Sequence, residues 1–350
     1  MMGQTLRQVS MGLVGMFLLD DTNPVQNTLP HTYGVDDIPL IFQDHTFGAD
    51  GQLIFDTGGG RREGGGQATT LVNGTLSPTV TTGRSRLRLR LLNAASVRFY
   101  NFGFANNETF YQVASDGGLL PAPVSMTRLQ LAPAERAEII IDVDASRPMV
   151  LQNFSGFGGF GGFGSDSGDG GDGGDGGRAG NNVQTSALLT INSTGTVPKL
   201  VALPTQLNSI ERLQAGSAIQ TRNMVLGGND QNPTINNQSM ISMADMMNMA
   251  NVIKVKLGTT EIWNLINRSR ENHTFHIHDV QFQILDRNGA TPTATEAGLK
   301  DTVMVGRGET VRIIMRFTDF ADPNTPYMYH CHLLTHEDNG MMGQFVVISD

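Results

Sequence analysis

The chain has 350 residues, enough for two or three domains, and carries 24 basic against 33 acidic side chains, a formal net charge of −9. No basic stripe is present, so nucleic acid is not an expected partner. The single cysteine rules out an internal disulfide, and no apolar run approaches the roughly 18 residues of a membrane span.

From the N-terminus, the first feature is the apolar run Met11-Gly-Leu-Val-Gly-Met-Phe-Leu-Leu19, preceded by Arg7. It looks like the core of a signal peptide, but Asp20-Asp21 follow at once and no small-x-small cleavage site appears. A buried strand is the expected reading. His31 and His45 stand in polar, turn-rich surroundings and are expected at the surface rather than as ligands.

Beyond this point, short Val/Ile/Leu runs alternate with Gly, Pro, Asn and Asp, and the chain holds 42 glycines. Long helical periodicity is absent, so an all-β sandwich architecture is expected. An internal repeat organises it. Leu71-Val-Asn-Gly74 matches Thr234-Ile-Asn-Asn237, and Leu87-Arg-Leu-Arg-Leu-Leu-Asn93 matches Glu261-Ile-Trp-Asn-Leu-Ile-Asn267. Tyr111-Gln-Val matches Phe282-Gln-Ile, and Pro133 to Asp142 matches Arg307 to Arg316. The offset is nearly constant, so the chain reads as two copies of one sandwich, with metal ligands in the second copy alone.

Residues 154–182 are Gly/Asp-rich, too poor in apolar surface to offset chain entropy. They read as a mobile surface loop inserted between strands of the first copy. A calcium-binding nonapeptide repeat is disfavoured because the run lacks the apolar position each repeat needs. Met240, Met243, Met246, Met247 and Met249 form a methionine-rich stretch. Gap-filling in the core or on its rim is favoured over a Cu(I) docking site.

Six of the eight histidines and the cysteine fall into two clusters, His273-Thr-Phe-His276-Ile-His278 and His330-Cys331-His332-Leu-Leu-Thr-His336-Glu-Asp-Asn-Gly-Met341. Along a strand, successive side chains face opposite ways. His330 and His332 therefore share one face and Cys331 takes the other; His276 and His278 share a face, and His273 enters the strand early enough to reach a different metal. Two imidazoles, a thiolate and a weak thioether make a blue-copper set, supplied by His273, His336, Cys331 and Met341. His276, His278, His330 and His332 remain for a second site. Zinc is the common Cys/His metal, but a single Cys flanked by His on both sides, with six histidines in play, favours copper.

These residues carry a family resemblance. H-x-x-H-x-H followed by H-C-H-x-x-x-H-x-x-x-x-M resembles the C-terminal signature of the multicopper oxidases, among them laccases, bilirubin oxidases, spore-coat oxidases and bacterial copper-efflux oxidases. Thr274 stands where the family usually has Pro. Arg86-Leu-Arg-Leu-Arg-Leu-Leu-Asn93 and Ala114-Ser-Asp-Gly-Gly-Leu-Leu120 extend the likeness, most towards the copper-efflux and spore-coat branch.

The resemblance implies tandem cupredoxin-like Greek-key sandwiches: a remnant of an N-terminal domain at 1–22, a copper-free middle domain at 23–197 and a copper-bearing domain at 198–350. It implies a type 1 copper at His273, Cys331, His336 and Met341. It also implies a trinuclear cluster of eight histidines, His276 holding its single copper and His278, His330 and His332 its coupled pair. Glu337 matches a family carboxylate that relays protons to oxygen. Met1-Met2-Gly3-Gln4-Thr5 looks like the tail of the family's N-terminal H-x-H segment, so residues 1–22 are expected to be that domain's last strand. The other four cluster ligands would then come from a missing N-terminal domain or a complementary chain. The implied activity couples one-electron oxidation of a phenol, aromatic amine, tetrapyrrole or cuprous ion to reduction of dioxygen to water. Family members are usually exported to the periplasm or beyond. The alternative is a type 1 copper electron-transfer or copper-binding module without oxidase activity.

Overall fold

The computed structural model describes residues 5–19, 22–55, 68–154, 186–195 and 200–349. Strands dominate, and the helices of the described residues are short: α1 (Thr5–Ser10), α2 (Met243–Met247) and α3 (Leu334–Asp338), with a few 3-10 turns. None is long and apolar enough to cross a membrane. The strands form two β-sandwiches, each of two sheets closing on its own apolar core.

In the first sandwich, one sheet runs Leu53–Ile54, Asp37–Phe47, Arg86–Asn93, Arg136–Asp142, Phe110–Ser115, Gly118–Met126, with Thr69–Val72 also on Asp37–Phe47. The facing sheet runs Thr79–Thr82, Ser186–Ser193, Met149–Asn153, Tyr100–Phe104, Leu129–Leu131. In the second sandwich, one sheet runs Asn232–Ile235, Ala218–Asn229, Thr259–Asn267, Thr310–Phe317, Phe282–Arg287. Its partner runs Ile253–Lys256, Met342–Ile348, Tyr327–Cys331, His273–Ile277, Thr302–Val305.

The two sandwiches repeat down to single hydrogen bonds. Asp37–Phe47 lies parallel to Arg86–Asn93, as Ala218–Asn229 does to Thr259–Asn267. Asn73 and Asn236, both at positive φ, accept a backbone N–H at 2.8 Å from Ile41 and Val225. That geometry suits asparagine, whose short side chain tolerates the left-handed region. Asn93 Nδ2 donates to the Leu131 carbonyl as Asn267 Nδ2 does to that of Val305. Glu135 accepts from Ala132 N–H as Glu309 does from Gly306 N–H.

The repeat locates what the first sandwich has in place of the second's ligands. Cys331 pairs with Phe275 and His330 with His276; in the first sandwich, Asn153 pairs with Phe102 and Gln152 with Gly103. Tyr100, opposite Leu131, stands where His273 stands opposite Val305. Residues 155–185 occupy the place in the sequence where the second sandwich carries His332 to Met341. The loop expected at 154–182 falls in sequence between the paired strands Met149–Asn153 and Ser186–Ser193, and beyond Phe154 it lies outside the described residues.

Three expectations are corrected. Met11–Leu19 is not a buried strand, and no strand occupies the described part of 1–22. After α1 the chain runs irregularly with Leu13, Phe17 and Leu19 at 68%, 88% and 78% exposure. The apolar run signals hydrophobicity, but nothing among the described residues covers it. His45 is buried at 5% exposure, its Nδ1 3.0 Å from the Ser10 carbonyl. That partner, 35 residues away, was invisible in the local sequence. Of the methionine-rich stretch, Met240 and Met246 are half-buried, as a place on the rim requires, whereas Met247 and Met249 are exposed on and beside α2, which a Ser242–Asp245 capping box starts. His31 is exposed, as expected.

Trp263 centres the second core. It is fully buried against the rings of Phe275, Phe317, Tyr329 and Phe345, with Nε1 donating to Glu261 Oε2 at 2.9 Å. Trp263→Ala should cost about 3–5 kcal/mol, read as a fall in the denaturation midpoint by circular dichroism; an unmoved midpoint would show that this ring cluster does not set the stability of the second sandwich.

Candidate metal centre

Strand alternation separates two clusters. Cys331 points inward and joins the second core, whereas His330, one residue earlier, faces His276 and His278 on the outer face. On His273–Ile277, His273, Phe275 and Ile277 point inward and His276 outward. The strand pair thus carries one set of donors inside the sandwich and another outside.

The inner set is His273, Cys331 and His336, all buried. Cys331 Sγ lies 3.6 Å from His273 Nδ1 and 3.7 Å from His336 Nδ1. Metal–donor bonds of about 2.0–2.3 Å near trigonal angles separate donors by about 3.5–3.7 Å, so the spacing suits one metal ion. Met341, also fully buried, is brought beside Cys331 through the backbone: Cys331 N–H donates to its carbonyl at 2.9 Å. α3 and the turn after it make this return possible. Met341 N–H donates to the His336 carbonyl at 2.9 Å, and Gly340 has φ 83° with backbone of Met240 2.9 Å from where a Cβ would sit. Only glycine fits both demands. Burial pushes the Cys331 thiol up to about 12 and holds His273 down to about 3. A buried thiol beside neutral imidazoles becomes a thiolate when a cation supplies the compensating charge.

The outer set is His276, His278, His330 and His332. Ring centroids lie 5.1 Å apart for His276–His278, 5.3 Å for both His276–His330 and His330–His332, and 5.5 Å for His278–His330. Three of them, His276, His278 and His330, converge closely enough to share a metal. Burial, with the neighbouring imidazoles, pushes His278 down to about 4 and His332 down as well, so both are neutral lone-pair donors near neutral pH. Glu337, 2% exposed, lies 3.2 Å from His330 Nδ1. Burial would raise its carboxyl, but the hydrogen bond and charge of His330 outweigh it and hold Glu337 below the ordinary range.

The protein assigns the nitrogens. In the inner set Nδ1 faces the sulfur, and Nε2 is held by Ser269 Oγ at 2.7 Å for His273 and by Asp230 Oδ1 at 3.1 Å for His336. In the outer set Nδ1 is held, by the Asp301 carbonyl and Thr302 Oγ1 for His276 and by the Cys331 carbonyl for His330. Nε2 is left for a ligand. Such outer partners fix tautomer and ring orientation.

The structure therefore gathers His273, Cys331 and His336 in one group and His276, His278, His330 and His332 in an adjacent one, with Glu337 at His330 and Met341 tied to Cys331 through its backbone. Sequence reasoning missed Ser269, Glu271, Asp301, Thr302 and Asp230. Ser269 and Glu271 precede His273 by a few residues and could have been found there; Asp230 is 106 residues from His336 and left no local signal.

Comparison with known proteins gives three findings. The family model described as multicopper oxidase matches residues 217–350. The chain is 35% identical over 341 residues to the cell division protein FtsP of Sodalis glossinidius, covering 96% of this chain and 66% of that protein. It is 31% identical to multicopper oxidase mco of Staphylococcus haemolyticus, covering 98% and 65%, so it spans slightly less than two thirds of both relatives. The solved McoA multicopper oxidase of Aquifex aeolicus matches with TM-score 0.83 at 29% identity, over 99% of this chain and 74% of that one.

Glu271 makes a test of the inner site's rim. Burial raises it to about 7, with a hydrogen bond and charge from Asp230 adding, while that hydrogen bond holds Asp230 low. The folded value exceeds the ordinary 4.5, so proton binding favours the fold: the contribution is full below about 4.5 and is lost as pH rises through about 7. Carboxyl carbon NMR of the metal-free protein should show Glu271 titrating near 7, and Asp230→Asn should return it towards 4.5; an unchanged titration in the variant would refute the pairing.

Proposed function

The chain belongs to the multicopper oxidase family, and from that premise we propose that it is a copper-dependent oxidoreductase taking electrons singly from a reducing substrate at the Cys331 site. The observation that carries the reading is the convergence of Cys331, His273 and His336 at trigonal spacing, with Met341 buried beside them. Bound copper would supply a one-electron acceptor there and, in a cluster that includes the outer imidazoles, the capacity to reduce dioxygen to water. The donor set suits copper in softness as well as geometry.

The remaining steps belong to the chain. Cys331 is joined to His330 and His332 by single peptide links, which gives electrons a short covalent route from the inner to the outer set. Glu337, anchored 3.2 Å from His330 Nδ1, is placed to hold a proton beside the outer imidazoles. Ser269 and Asp230 keep the inner imidazoles aimed at the sulfur. H-x-H pairs in the 350 residues are His276–His278 and His330–His332, half of the eight-histidine cluster. A further domain or a complementary chain would supply the other half.

The substrate class is a phenol, an aromatic amine, a tetrapyrrole or cuprous ion, with dioxygen as acceptor, and the location is exported, periplasmic or extracellular. The relatives named for cell division bring that context as a second setting for the same site. A second reading, a type 1 copper module that transfers electrons without reducing oxygen, is favoured by one observation: the inner set is complete within these residues and the outer set alone would not complete the cluster.

Copper per chain after reconstitution, with visible and electron paramagnetic resonance spectra and oxygen uptake on the same sample, tests both. An intense blue band that Cys331→Ser abolishes is expected; its absence in the copper-loaded wild type sinks the copper assignment. Oxygen uptake with an added reductant supports the oxidase, and reduction of the band without uptake supports the electron-transfer module.

A further inference from the structure

The outer histidine His276 is governed from the other sandwich. Arg136, on the first sandwich, grips Asp301 of the second with both arms, Nη1 to Oδ1 and Nη2 to Oδ2, each at 2.6 Å. Asp301 Oδ1 in turn accepts the Thr302 hydroxyl at 2.7 Å. Thr302 Oγ1 and the Asp301 carbonyl both lie 3.0 Å from His276 Nδ1, and Asp301 Oδ1 lies 3.5 Å away.

The donor–acceptor directions along this chain are forced. A guanidinium only donates, so Asp301 accepts. A hydroxyl has one hydrogen, and Thr302 gives it to the carboxylate, so Thr302 Oγ1 can only accept from His276. The Asp301 carbonyl can also only accept. Every partner at Nδ1 is therefore an acceptor, and Nδ1 must carry the proton, which leaves the Nε2 lone pair bare. Without the clamp the Asp301 carboxylate is free to swing away from Thr302, and the released hydroxyl could then turn and donate to Nδ1, favouring the opposite tautomer and closing Nε2 to a metal.

We propose that Arg136 is a positioning residue that sets the tautomer of the metal-facing histidine His276 through Asp301 and Thr302, so that the first sandwich, which lacks the metal ligands, prepares the outer site of the second. Bidentate arginine–carboxylate pairing gives the clamp both strength and fixed geometry. The clamp is itself seated: Arg136 N–H donates to Asp116 Oδ1 at 2.8 Å, and Lys300 Nζ lies 2.8 Å from Asp116 Oδ2 and 3.3 Å from Glu135 Oε1. Residues 116, 135 and 136 come from one sandwich and 300 and 301 from the other, so a partly buried ionic network joins the two at the step before His276.

The inference rests on reading His276 as a ligand, but its test does not depend on the metal. In metal-free protein labelled with ¹⁵N-histidine, at about pH 8, above the ordinary imidazole range, long-range ¹H–¹⁵N spectra report each tautomer. Wild-type His276 should be the Nδ1–H form. In Arg136→Ala the ratio of Nδ1–H to Nε2–H should fall about five- to tenfold, the worth of roughly one net hydrogen bond, and in Arg136→Lys by less. Thr302→Val, which removes the hydroxyl while leaving Arg136 and Asp301 paired, should keep the Nδ1–H form on the carbonyl alone. It also serves as the folded reference if Arg136→Ala is unstable, with Arg136→Lys then carrying the comparison. Calorimetric titration with Cu(II), in a Cys331→Ser background, should show the outer site about 10–100-fold weaker in Arg136→Ala. An Nε2–H wild type, or folded Arg136 variants with an unchanged His276 tautomer, overturns the proposal. A wild type that takes up no copper but shows the expected tautomer shift leaves the proposal standing and removes the copper reading.

Discussion

A strand has a two-residue period, and here that period does chemical work: it puts Cys331 in an apolar interior and His330 on the opposite face. Three consecutive residues then contribute to two clusters of donors without any loop having to cross the sheet. The neighbouring strand obeys the same rule, with His273 inside and His276 outside, and cross-strand pairing of Phe275 with Cys331 and His276 with His330 fixes the register. A slip of one residue would send every ligand to the wrong face. The ladder of backbone hydrogen bonds is thus the element on which both sites depend.

A second layer of polar contacts decides which nitrogen each imidazole offers. The inner histidines are held by Nε2, and the outer His276 and His330 by Nδ1, so rings of the same type serve differently according to what lies behind them. Burial sharpens this by keeping His273, His278 and His332 neutral. The same burial leaves Cys331 protonated until a cation arrives. Structure and charge therefore cooperate: a neutral pocket is cheap to fold and would become charged on binding a metal ion.

Much of this was legible in the sequence because the deciding spacings are local. H-C-H and H-x-H report faces directly, Gly340 marks the return of the ligand loop, and the recurring Asn and Glu positions reveal the duplicated frame. What escaped depends on tertiary neighbours. His45 sits among polar residues in sequence but packs against Ser10. Met11–Leu19 is apolar enough for a strand, yet hydrophobicity alone does not say what will cover it. Asp230 reaches His336 across 106 residues, and Arg136 reaches Asp301 across 165; neither pairing leaves a local pattern. The protonation and aim of the ligands, unlike their identity, are long-range properties.

The alignment of Asn153 with Cys331, and of residues 155–185 with the stretch from His332 to Met341, divides the fold into two kinds of part. The cross-strand pair Phe102 with Asn153, or Phe275 with Cys331, recurs in both copies; the stretch of sequence that follows it differs in length and content. In one copy that connection carries the donors, and in the other it is a long glycine- and aspartate-rich sequence. The open end of each sandwich is therefore an interchangeable socket. Fitting the blank copy with a metal would take substitutions at Tyr100 and Asn153 and a new connection, while the frame that orients them is already built.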